Sequence, residues 1–69
     1  MVMVTFDRGV FECTGIQLEE ESNMLIFYSY GEVGCSIILN RSKEEQYAFL
    51  NKQIEAFKQG KDIRIGYED

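Results

Sequence analysis

The chain of 69 residues has no histidine, no proline and no tryptophan, and only two cysteines. Without histidine it lacks the commonest general base and the commonest metal ligand. Serine, threonine and cysteine nucleophiles are therefore left without their usual activating partner. No apolar stretch approaches the roughly 20 residues of a membrane span, and no basic-then-apolar segment opens the sequence. Neither a membrane anchor nor a secretory leader is expected, and the location expected is cytoplasmic. Cys13 and Cys35 are too few for a disulfide framework and have no Cys-x-x-Cys spacing for a metal. They read as buried, reduced thiols. The glycines are scattered and form no phosphate-binding loop. These absences together predict a protein that is not an enzyme, with no cofactor, no metal and no catalytic residue.

What is present is apolar and acidic. Hydrophobic residues make up 45% of the chain and aromatics 13%, enough for one small folded domain spanning residues 1–69. A formal net charge of −5 argues against a surface that grips phosphate backbones, so direct nucleic-acid binding is not expected. The net negative charge is concentrated in the first 40 residues: Asp7, Glu12, Glu19, Glu20, Glu21 and Glu32 face only Arg8 there, whereas acids and bases balance in residues 41–69.

The pattern predicts an α+β fold: a four-stranded antiparallel meander, one helix across one face, and a fifth, C-terminal strand (ββββαβ). Residues 1–6 and 10–18 are rich in β-type side chains and flank the turn residues Asp7-Arg8-Gly9. A two-residue loop at Arg8-Gly9 would pair Phe6 with Phe11, Val4 with Cys13 and Val2 with Gly15. After the polar break at residues 19–23, Met24 to Tyr30 and Val33 to Leu39 read as a second hairpin. A loop at Gly31-Glu32 would pair Tyr28 with Cys35, Ile26 with Ile37 and Met24 with Leu39.

Ser42-Lys43-Glu44-Glu45 has the form of a capping box. The helix it opens should run to Gln59, with Gly60 as the left-handed residue that ends it. Tyr47, Leu50, Ile54 and Phe57 form the stripe expected to face the core, and Phe49 falls off it. Residues 62–67 alternate, with Ile63, Ile65 and Tyr67 on one side. That strand is expected beside the first and antiparallel to it.

Two surfaces follow from this register. With the helix on one sheet face, the other would carry Met3, Ile16, Leu25, Phe27 and Ile38. A second apolar face is either a protein interface or, if the sheet curls, interior. The topology also gathers Glu19, Glu20, Glu21, Glu44, Glu45, Glu68 and Asp69 at one pole, suited to a basic partner or simply to solubility.

In size and charge the chain is like the small acidic proteins of phages and mobile elements that bind and block a host protein, a likeness of composition alone. The function expected is a small acidic protein-binding module, of inhibitor type. The alternative is a homo-oligomeric structural or accessory subunit. The partners expected are a basic or nucleic-acid-handling protein target and a second copy in a homodimer, with no membrane.

Overall fold

A computed structural model describes residues 1–7 and 9–65. The class is α+β, with six strands and one helix among the described residues: β1 (Val2–Phe6), β2 (Gly9–Cys13), β3 (Gly15–Glu19), β4 (Met24–Ser29), β5 (Glu32–Ile38), α1 (Lys43–Lys58) and β6 (Ile63–Ile65). They form two three-stranded sheets, ordered β2-β1-β6 and β3-β4-β5. The single meander expected from the sequence is thus divided. The division falls at Thr14, where the expected strand 10–18 breaks into β2 and β3. Thr14 turns its N–H to the Tyr28 carbonyl at 2.8 Å, and its hydroxyl accepts from the Tyr30 N–H at 2.8 Å. The chain changes sheets there, and β2 comes to lie against β4.

The first hairpin pairs Val2 with Cys13, Val4 with Phe11 and Phe6 with Gly9. Gly9 is therefore in the strand rather than in the expected Arg8-Gly9 loop, and Asp7 takes a positive φ, at 55°. This register differs from the expected one by two residues. With a side-chain period of two, every residue keeps its face.

The second hairpin differs by an odd step, and that has larger consequences. Its loop is Tyr30-Gly31, with φ of 50° and 83°, the two positive values of a type I′ turn. Further along, Phe27 faces Cys35 and Tyr28 faces Val33, so Gly34 is an unpaired bulge residue. Beyond the bulge Leu25 pairs with Ile37 and Ile26 with Ser36. The one-residue offset turns Leu25 and Phe27 inward, and both are 0% exposed. Met24, Ile26 and Tyr28, which alternate with them along β4, are only half-buried.

The helix has the expected ends. Ser42 Oγ accepts from the Glu45 N–H at 3.3 Å, and Glu45 Oε1 accepts from the Ser42 N–H at 3.3 Å. At the other end Gly60 has φ of 72°. The Lys61 N–H reaches the Ala56 carbonyl and the Gly60 N–H reaches the Phe57 carbonyl, a Schellman closure. Its inward face is not the expected stripe. Gln46, Phe49 and Gln53 are buried, Leu50, Ile54 and Phe57 are half-buried, and Tyr47 is exposed.

Strand β6 does lie beside β1, but parallel to it, pairing Val4 with Ile63 and Phe6 with Ile65. A helix of 16 residues spans about 24 Å. It returns the chain to the end where β1 begins, so β6 leaves in the same direction. Tyr67, Glu68 and Asp69 lie outside the described residues. The core draws on both sheets and the helix: Val2, Val4, Cys13, Leu25, Phe27, Cys35, Leu39, Phe49, Ile63 and Ile65 are all buried.

Candidate protein-docking edge

The five residues expected to form an apolar docking face do not share one surface. Leu25 and Phe27 are core, Met3 and Ile16 are half-buried, and only Ile38 is well exposed, at 64%. The two sheets shelter most of that face inside the molecule. Leu25 and Phe27 are therefore corrected from interface to interior.

The acidic residues of the β3–β4 turn and of the first helical turn are brought close together. Gln46 Nε2 donates to Asn23 Oδ1 at 3.0 Å, and the Tyr47 hydroxyl donates to the Glu20 carboxylate. Glu20, Glu21, Glu44 and Glu45 are exposed there and Glu19 is half-buried. The bond to Glu20 holds the Tyr47 phenol above its ordinary range, since the proton it shares is stabilised by a carboxylate. Glu45 is also committed to the helix cap. Among the described residues no group of histidine, cysteine, aspartate or glutamate side chains could hold a metal ion, and no helix is long and apolar enough to cross a membrane.

The surface that sequence reasoning missed is the outer edge of β5. Among the described residues no strand pairs with that edge, and five of the seven strand residues are exposed. From Val33 to Asn40 the chain carries no charged side chain. Edge strands are ordinarily protected by lysine, proline or an inward-pointing charge. Within β5 the protective devices are the bulge at Gly34 and the charge of Glu32 at the strand's start. Val33 is 59% exposed and Ile38 64%.

Backbone direction along β5 follows from one hydrogen bond. Leu39 donates its N–H inward, to the Asn23 carbonyl at 2.7 Å. In an antiparallel ladder alternate residues face opposite sides, so Ile37 also faces β4 while Ser36 and Ile38 turn their N–H and C=O outward.

The two ends of β5 differ. At its start, Tyr30 stands 73% exposed on the turn, and the neighbouring Glu12 carboxylate holds its phenol above the ordinary range. A tyrosine at φ 50° occupies a position that asparagine or glycine takes at lower cost. Beyond the strand's end, Arg41 lies over the Phe49 ring, 5.0 Å from its centroid. Arg41, Ala48, Phe49 and Lys52, with Glu45, line an open groove of about 310 Å³.

Below the edge the two thiols are buried in the core. Burial, and secondarily the nearby Cys13, push Cys35 from an ordinary 9.0 up to about 11. Burial likewise raises Cys13, whose Sγ donates to the Gly15 carbonyl at 3.3 Å. Neither is a thiolate at neutral pH, the form that nucleophilic chemistry requires.

No protein-family model, no curated protein and no solved structure matches this chain.

Proposed function

We propose that the chain is a non-catalytic protein-binding module whose partner adds a strand to the outer edge of β5. One observation carries this reading: a seven-residue edge strand that bears no charge after its first residue and leaves Val33 and Ile38 exposed. Unpaired N–H and C=O groups along such an edge supply affinity to an incoming strand, and exposed side chains on alternate positions supply specificity. The absence of histidine and the raised thiols favour binding over catalysis.

The acids of the β3–β4 turn and the first helical turn, gathered at one end, favour a second role in the same class. Their field would speed encounter with a basic partner, as a small inhibitor of a nucleic-acid-handling protein requires.

A benzophenone side chain placed at Ile38 tests the docking edge in the cell that expresses the protein. The same group at Glu55, exposed on the helix, is the control. Crosslinks from position 38 and not from 55 support the reading. An absence of crosslinks from position 38 contradicts it.

A further inference from the structure

We draw no further inference here: the strongest candidate, the outer edge of β5 with the open groove beside Arg41 and Phe49 at its end, belongs to the docking site already described, and nothing in the structure shows what covers it.

Discussion

The Phe11 ring of β2 lies directly against Gly34 of β5, so close that a Cβ on Gly34 would sit 2.3 Å from Phe11 Cε2. This contact joins the two sheets at the point where β5 bulges, and it explains why the bulge residue is glycine. Gly34→Ala must displace the Phe11 ring or the bulge. A loss of about 1–3 kcal/mol is expected, from overpacking. Thermal denaturation checks this, and an unchanged melting temperature would show that Phe11 has room to move aside.

A second prediction concerns the join between helix and sheet. The Gln46 side-chain amide is 2% exposed and serves three acceptors: Asn23 Oδ1, the Leu39 carbonyl and the Arg41 carbonyl. Gln46→Leu keeps most of the volume and removes this donor from all three, and the Leu39 carbonyl alone keeps another, the Arg41 N–H. The expected cost is about 1–3 kcal/mol. Ser42→Ala, which removes only the helix cap, should cost about 1 kcal/mol. Denaturant titration of both variants should place Gln46→Leu below Ser42→Ala, and the reverse order would mean the amide is dispensable.

The third prediction follows from the position of Phe27. At 0% exposure, with Leu25 beside it in the core, it has no aqueous side to which a charge could turn. Phe27→Lys leaves an unpaired ammonium in the interior and should unfold the protein outright. Circular dichroism reads the result directly. A folded Phe27→Lys chain would put Phe27 back on the surface and reverse the register of β4.

The raised Cys35 thiol yields a pH dependence. Its folded value of about 11 lies above the ordinary 9.0. The unfolded chain therefore loses this proton at lower pH than the folded one. The stabilisation is fully present below pH 9 and is lost as pH rises from 9 towards 11. Cys35→Ala should flatten the fall in stability across that window. At neutral pH iodoacetamide should label Cys13 and Cys35 slowly in the folded chain and rapidly in denaturant, and rapid labelling of the folded chain would contradict their burial.

These outcomes depend on features of unequal visibility in the sequence. Ser42, Glu45 and Gly60 marked the helix ends because caps are local chemistry, set within a few residues. Both hairpins were legible for the same reason, since turn residues separate two β-rich runs. The faces of β4 were not, because the bulge at Gly34 depends on Phe11, 23 positions away in sequence and in the other sheet. One unpaired residue there turned Leu25 and Phe27 from surface to core. The buried face of the helix was hidden by its own polarity. Gln46 and Gln53 do not read as core, so Phe49 between them looked displaced from a stripe that in fact lies at its flank. Thr14 carried no proline or polar run to announce the change of sheet. The docking edge was missed because strand order, and hence which strand is left unpaired, is a property of the assembled fold.

The most direct measurement is amide hydrogen exchange along β5 in the isolated chain and in the chain bound to the partner captured at position 38. Ile37 and Leu39, which face β4, should be protected in both states. Ser36 and Ile38 face outward. They should exchange fast in the isolated chain and become protected in the complex. Outward amides that stay fast in the complex, or that are already protected in the isolated chain, would contradict the assignment of β5 as the edge to which a partner strand is added.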